Sequence, residues 1–195
     1  MVLTQVCRDD LTDGGASLLA ETVRRIHDVA PTVLVELLVG DLGGNSAALD
    51  TLLEEPPDVL AHNLETVRSL SPGVRDHRAG YDRSLELLRE ARTRGPREIV
   101  TKSSIMLGLG EGDEELTLAF RDLREAGVDL LTLGQYLRPS PGHAAVVRYV
   151  PPADFERWKT LATAHGFSGV EAGPLVRSSY HAEQLYRRAL AARGE

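Results

Sequence analysis

Two polar residues, Asn63 and Glu65, are separated by one residue and directly follow a run at 59–62 that is typical of a strand. In an extended segment both side chains point to the same side. An amide beside a carboxylate suits an amino-acid-like ligand, whose ammonium group needs acceptors. A second interpretation stays open, in which the two residues lie in an exposed loop and Glu65 caps the next helix.

Three further polar residues are expected at strand ends. Lys102 follows an uncharged strand-like run, so its ammonium group either reaches the end of the sheet or pairs with a carboxylate. Gln135 and Arg138 follow another such run. The loops 13–15 and 108–111 place glycines between a strand pattern and a helix pattern, where backbone N–H groups and the positive helix end favour an anion. Both loops are weak signals, because glycines also serve tight turns.

A different chemistry is open to the acidic residues. Asp9, Asp41 and Glu65 each follow a strand-like run, and carboxylate oxygens are the ligands that magnesium prefers in proteins. One alternative function is therefore a magnesium-dependent barrel enzyme.

The composition excludes several classes of protein. The 22 Lys+Arg and 29 Asp+Glu leave a net charge of −7, which disfavours nucleic acid as a partner. The sequence has neither a long apolar run nor a signal-peptide pattern at its start, so we expect a cytoplasmic protein with no membrane partner. The one cysteine, Cys7, excludes an intrachain disulfide and an iron–sulfur cluster held by several thiolates of this chain.

Short strand-like runs alternate with helical patterns, and the candidate strands begin near residues 2, 32, 58, 98 and 128. Two of these strands are predicted to span 32–39 and 128–133, and two of the helices 46–54 and 81–94. Near-continuous apolar strands between helices predict a parallel sheet in a doubly wound or barrel arrangement. Because polar residues cluster after the strands, we predict an α/β fold, a partial (β/α) barrel whose site lies at the carboxyl ends of its strands. Five such units cannot close a complete TIM barrel.

The pattern changes after residue 137. Residues 152–165 predict a helix, 169–172 a short strand and 182–192 a terminal helix. We therefore divide the chain into a partial barrel at 1–137 and a C-terminal extension at 138–195, packed on the same domain. Within this extension the polar run Arg177-Ser178-Ser179-Tyr180 is either part of a site or a surface cap for the terminal helix.

Taken together, these segments resemble the lipoyl synthases, which are radical S-adenosylmethionine enzymes. The resemblance is collinear from residue 1 to about residue 186. It rests on Arg8-Asp9-Asp10-Leu11, Asp13-Gly14-Gly15-Ala16, His62-Asn63-Leu64-Glu65-Thr66-Val67, Thr101-Lys102-Ser103, Gly108-Leu109-Gly110-Glu111, Thr132-Leu133-Gly134-Gln135-Tyr136-Leu137 and Val176-Arg177-Ser178-Ser179-Tyr180.

The resemblance implies a partial six-stranded barrel and a sulfurtransferase that inserts sulfur at carbons 6 and 8 of an octanoyl chain. That chain is attached to a lipoyl carrier domain or to a glycine-cleavage carrier protein. One [4Fe–4S] cluster, on a CxxxCxxC motif, cleaves S-adenosylmethionine to a 5′-deoxyadenosyl radical, and a second [4Fe–4S] cluster is consumed as the sulfur source. An iron–sulfur assembly or repair protein is a further implied partner.

The same resemblance assigns site residues. Ser179, with Ser178 as the alternate, would be a ligand of the second cluster, and Arg177 would support it. The residues that the resemblance places in contact with S-adenosylmethionine or substrate are Asp13, Gly14, Gly15, Asn63, Glu65, Lys102, Gln135 and Arg138.

One departure from the family bears on activity. Both cysteine motifs of the family precede the segment that matches Val2, and Cys7 stands where the family usually has an acidic residue. We therefore expect an N-terminally truncated form that lacks the first barrel strand and is inactive by itself. The alternative is a non-catalytic barrel fragment or degenerate paralogue that binds S-adenosylmethionine or a lipoyl carrier domain.

Overall fold

A computed structural model describes residues 1–194 as one six-stranded parallel sheet flanked by helices. Each strand pairs with the next strand along the chain, and among the described residues the two outer strands do not pair with each other. The sheet is therefore an open, partial barrel of the α/β class, as the sequence predicts. Its strands are β1 (Val2–Thr4), β2 (Glu36–Leu38), β3 (Val59–Ala61), β4 (Val100–Leu107), β5 (Leu130–Gln135) and β6 (Gly169–Gly173).

Helices connect the strands and carry the clearest local signals. Asn45 caps one of them, because its Oδ1 accepts hydrogen bonds from the N–H groups of Ala47 and Ala48 at 3.0 and 3.2 Å. The helices are α1 (Ala16–Val29), α2 (Ser46–Glu54), α3 (Ser71–Val74), α4 (Tyr81–Arg94), α5 (Asp113–Glu125), α6 (Pro152–Ala164) and α7 (Ala182–Arg193).

The core consists of three buried clusters, of which one lies against α5 and a smaller one lies under α7. Helix α5 buries one face against β4 and β5, where Phe120 and Leu123 lie in a cluster with Ile105 and Leu133. Leu185 and other residues of α7 pack against the amino-terminal ends of the strands. That smaller cluster consists of Val59, Val100, Leu130, Leu185 and Ala189.

The strand predictions need correction in two places. β2 spans three residues rather than 32–39, and β5 lies two residues later than the predicted 128–133. Continuously apolar runs do not mark strand ends, because residues flanking a buried strand are also buried. The region 138–195 contributes β6, which continues the sheet through the pair Leu130↔Gly169.

Candidate functional site

Asn63 and Glu65 lie at the carboxyl end of β3, where the chain continues beside β4. The N–H of Glu65 donates to the carbonyl of Ser104 at 3.0 Å, and the N–H of Met106 donates to the carbonyl of Glu65 at 2.8 Å. Glu65 has φ 70°, a left-handed conformation that is strained for a residue with a side chain. These bonds fix the backbone from which the carboxylate projects.

The Glu65 carboxyl group is partly buried. Burial raises its pKa, whereas the Asn63 side chain and the positive charge of Arg75 lower it. The Oδ1 atom of Asn63 is buried and has no hydrogen-bond partner within the protein. A buried amide oxygen without a partner is uncommon, so this position fits a donor from a ligand.

Sequence reasoning missed Arg75, which follows α3. Burial lowers the pKa of its guanidinium group, and the charges of Glu65 and Asp41 raise it. Its Nη1 donates to Ser84 Oγ at 2.7 Å. No local pattern could have singled out Arg75, because it lies in an irregular segment and the fold alone brings it towards Glu65.

Lys102 is the third residue of β4 rather than a residue beyond its end, which corrects the predicted position. Its Nζ donates to both carboxylate oxygens of Glu36 at 2.8 Å. Lys102 is 1% exposed and Glu36 is 5% exposed. Of the two alternatives for Lys102, the pair with a carboxylate is the one that the structure contains. Glu36 went unnoticed because it stands inside an almost wholly apolar run.

Gln135 ends β5 and uses its amide on the backbone. Its Oε1 accepts from the N–H of Val150 at 2.8 Å, and its Nε2 donates to the carbonyl of Tyr136 at 2.9 Å. These bonds hold the segment 138–150 over the end of the sheet. Arg138 is exposed and donates to backbone carbonyls of the same segment.

The two glycine loops are occupied by acidic side chains of the protein itself. Glu111 accepts from the N–H groups of Gly108 and Leu109 at 2.7 and 2.8 Å, which takes the donors that an anion would need. Asp13 accepts from the N–H groups of Gly15 and Ser17, both at 2.9 Å. A hydrogen bond with the Ser17 side chain, together with these two backbone bonds, lowers the pKa of Asp13 to about 2.

The Arg177-Ser178-Ser179 run forms turns between β6 and α7. Ser179 is exposed and Ser178 is partly exposed. Arg177 donates from Nη1 to the carbonyl of Val176 at 2.8 Å. Neither serine residue is buried.

The structure does not favour the magnesium hypothesis. Asp9 pairs with Arg78, and Asp41 accepts from the N–H of Gly43 at 3.1 Å. Within residues 1–194 there is no group of three or more His, Cys, Asp or Glu side chains that could hold a metal ion. Local sequence shows which carboxylates follow strands, but not which arginine or backbone group each of them meets.

The residues of this chain also do not fit a [4Fe–4S] cluster. Cys7, the one cysteine, is exposed, and its Sγ donates to Asp9 Oδ1 at 2.8 Å. The neighbouring Asp9 raises the pKa of this thiol, which disfavours the thiolate that binds iron. A cubane cluster needs several thiolates, so this chain alone lacks the ligand set.

None of the helices in residues 1–194 is long and apolar enough to cross a membrane. No protein-family model matches the chain. A crystal structure of methylornithine synthase superposes on 98% of this chain and 66% of its own chain with a TM-score of 0.61. At 16% identity this likeness shows a shared fold alone.

Curated relatives match nearly the whole chain. Proteins named lipoyl synthase from Thermus thermophilus, Bacillus mycoides and Symbiobacterium thermophilum are 57%, 55% and 54% identical to it, over 97%, 97% and 99% of its length. The aligned segment spans 58%, 63% and 60% of these relatives. Along the segment that it shares with them, the chain is a homologue of the lipoyl synthases.

Proposed function

We propose that this chain is the barrel portion of a lipoyl synthase, a sulfurtransferase that inserts two sulfur atoms into a protein-bound octanoyl chain by radical S-adenosylmethionine chemistry. The observation that carries the proposal is the 54–57% identity to lipoyl synthases over at least 97% of the chain. The open parallel sheet, with polar side chains at the carboxyl end of β3, supports it.

The donors and acceptors around Glu65 fit the amino-acid end of S-adenosylmethionine. Asn63 Oδ1 and the Glu65 carboxylate accept hydrogen bonds from an ammonium group, and Arg75 pairs with a carboxylate. When bound, S-adenosylmethionine supplies the group that removes hydrogen from the unactivated carbon atoms of the substrate.

The other site residues have supporting roles in this proposal. Asp13, with Gly14 and Gly15, shapes the start of α1 near the cofactor, and Gln135 and Arg138 hold the segment 138–150 at the substrate side. Lys102 forms a buried ion pair with Glu36 inside the barrel.

The cluster chemistry needs thiolates that this chain does not contain. Ser179, or Ser178 as the alternate, is the proposed ligand of the auxiliary [4Fe–4S] cluster, with Arg177 beside it. We propose that the 195-residue chain by itself neither assembles a cluster nor catalyses. Anaerobic reconstitution with iron and sulfide tests this claim, and a stable [4Fe–4S] chromophore that cleaves S-adenosylmethionine would overturn it.

We propose two classes of partner protein for the complete enzyme. An octanoylated lipoyl carrier domain or a glycine-cleavage carrier protein presents the substrate, and an iron–sulfur assembly or repair protein restores the consumed cluster. We propose that the reaction takes place in the cytoplasm.

Calorimetric titration of the chain with S-adenosylmethionine tests the cofactor site. Glu65→Gln removes the charge that receives the ammonium group, and we expect binding about tenfold weaker. Glu114→Gln makes the same change at an exposed position on α5 and serves as the matched control. Equal affinity of the wild type and the Glu65→Gln variant, or no binding by the wild type, would contradict the proposed site.

A further inference from the structure

His62 is a buried histidine that the proposed function leaves without a role. It is 4% exposed, and both of its ring nitrogens have partners. The Nδ1 atom lies 2.9 Å from the carbonyl oxygen of Val39, and Nε2 lies 2.8 Å from Ser84 Oγ. Since a carbonyl oxygen only accepts, Nδ1 carries the hydrogen and a neutral ring accepts at Nε2.

The ring remains neutral near pH 7. Burial lowers the pKa of His62, the hydrogen bond to Val39 and the charge of Asp41 raise it, and the charge of Arg75 lowers it, so that the pKa is about 4. The Ser84 hydroxyl group therefore has a fixed direction. Ser84 is fully buried, its single hydrogen points at His62, and its lone pairs remain for another donor.

That donor is Arg75, whose Nη1 lies 2.7 Å from Ser84 Oγ. The second contact of Nη1, to the carbonyl of Gly80, is long at 3.5 Å. In the described part of the chain, Nε and Nη2 of Arg75 donate no hydrogen bond. The edge of the guanidinium group that these two nitrogens form is therefore unoccupied. The acidic groups whose charges act on Arg75 are Glu65 and Asp41.

We propose that His62 and Ser84 are positioning residues for Arg75. Together they fix the guanidinium group so that its unoccupied edge faces a ligand carboxylate beside Glu65. That the ligand is S-adenosylmethionine depends on the proposed function, whereas the ordering of Arg75 depends on the structure alone. A neutral histidine is required in this arrangement, because a protonated ring would donate to Ser84 and turn its hydroxyl hydrogen towards Arg75.

The first experiment measures the order of Arg75 without any ligand. In ¹⁵N NMR spectra of the full chain, a held guanidinium group gives separate Nη–H signals, which Arg75→Lys identifies by their loss. We expect these signals in the wild type and their averaging in Ser84→Ala and His62→Leu. Ser84→Thr, which keeps the hydroxyl group, should restore them.

The control for this experiment is Thr66→Val. Thr66 is a buried residue of the segment after β3 that also contains His62, and its Oγ1 has no hydrogen-bond partner in the protein. Its substitution should leave the Arg75 signals separate. Unchanged Arg75 signals in a folded Ser84→Ala variant would overturn the positioning role.

The second experiment compares the binding of S-adenosylmethionine with that of its decarboxylated analogue. We expect the wild type to prefer the carboxylate-bearing compound about tenfold. Ser84→Ala should remove most of this preference while its affinity for the decarboxylated compound stays unchanged. Equal weakening of both compounds would contradict the positioning role. If the wild type binds neither compound, the proposed function fails, and the NMR comparison still decides the positioning role.

Discussion

At the scale of single residues, the sequence predicts the positions of Asn63 and Glu65 but not their long-range partners. Both residues directly follow β3, as the local pattern predicts, but Glu65 is left-handed rather than extended, so strand alternation does not explain where its side chain points. Arg75 acts on Glu65 through its charge, from the same connection between β3 and α4. Glu36 and Lys102 instead form a buried ion pair between residues 66 positions apart. Only the order of strands in the sheet determines such pairs.

The buried pair of Glu36 and Lys102 predicts a large stability effect. Glu36→Gln leaves the Lys102 ammonium group buried without a counter-charge, and we expect the free energy of unfolding to fall by about 3–5 kcal/mol. Urea denaturation measures the change. Glu98→Gln, at an exposed position, is the matched control and should change stability by less than about 0.5 kcal/mol.

A double variant separates the lost charge from lost packing. Glu36→Gln combined with Lys102→Met removes both charges while keeping similar volumes, so it should be more stable than Glu36→Gln alone. A double variant no more stable than the single variant would show that the charge of Lys102 is not the cause.

His62 predicts a pH dependence of stability with a definite sign. Its pKa is about 4 in the folded protein, below the ordinary value of 6.5, so the unfolded chain binds more protons between these values. The contribution of His62 is complete above pH 6.5 and is lost as the pH falls towards 4, by about 3 kcal/mol in all. His62→Gln should flatten this part of the curve of unfolding free energy against pH. An unchanged curve would mean that His62 is not held neutral.

At the scale of elements, helices were more predictable than strands. The predicted bounds of α2 and α4 agree with the structure, because caps and a three-to-four-residue apolar spacing mark where helices begin and end. The strands of a parallel sheet are covered on both faces, so their apolar runs continue into the flanking residues. The glycine loop before α5 was placed correctly, whereas the role of Glu111 as its internal acceptor was not visible in the sequence.

The loop before α5 should depend on Glu111. Glu111→Gln replaces one of two oxygen acceptors by an amide donor, which then faces a backbone N–H. We expect a loss of about 1–3 kcal/mol in unfolding free energy. Hydrogen exchange at Gly108 and Leu109 should also speed up. Glu114→Gln, three residues further and exposed, should alter neither quantity.

At the scale of the whole molecule, the order of the six strands brings the polar groups to one end of the sheet. The opposite end is covered by α7, whose Arg193 donates to the carbonyls of Glu98 and Ile99 and to Asp129 Oδ2, at 2.9, 2.9 and 2.8 Å. The sequence predicted an open barrel correctly, because five or six strand–helix units are too few for closure. It could not predict that the terminal helix would cover this opposite end of the sheet.

The open side of the sheet predicts self-association through β1. This edge strand bonds to β2 through the N–H of Gln5 and the carbonyl of Met1, and in a parallel pair the alternate residue Thr4 directs its N–H to the open side. Exposed edges pair with other chains, so we expect the wild type to associate as its concentration rises.

Thr4→Pro removes the outward N–H group and should reduce association, measured by light scattering after size exclusion, while unfolding remains cooperative. Thr4→Ala retains the N–H group and should associate as the wild type does. A monomeric wild type at high concentration, or equal association of the proline and alanine variants, would show that the β1 edge is not the contact.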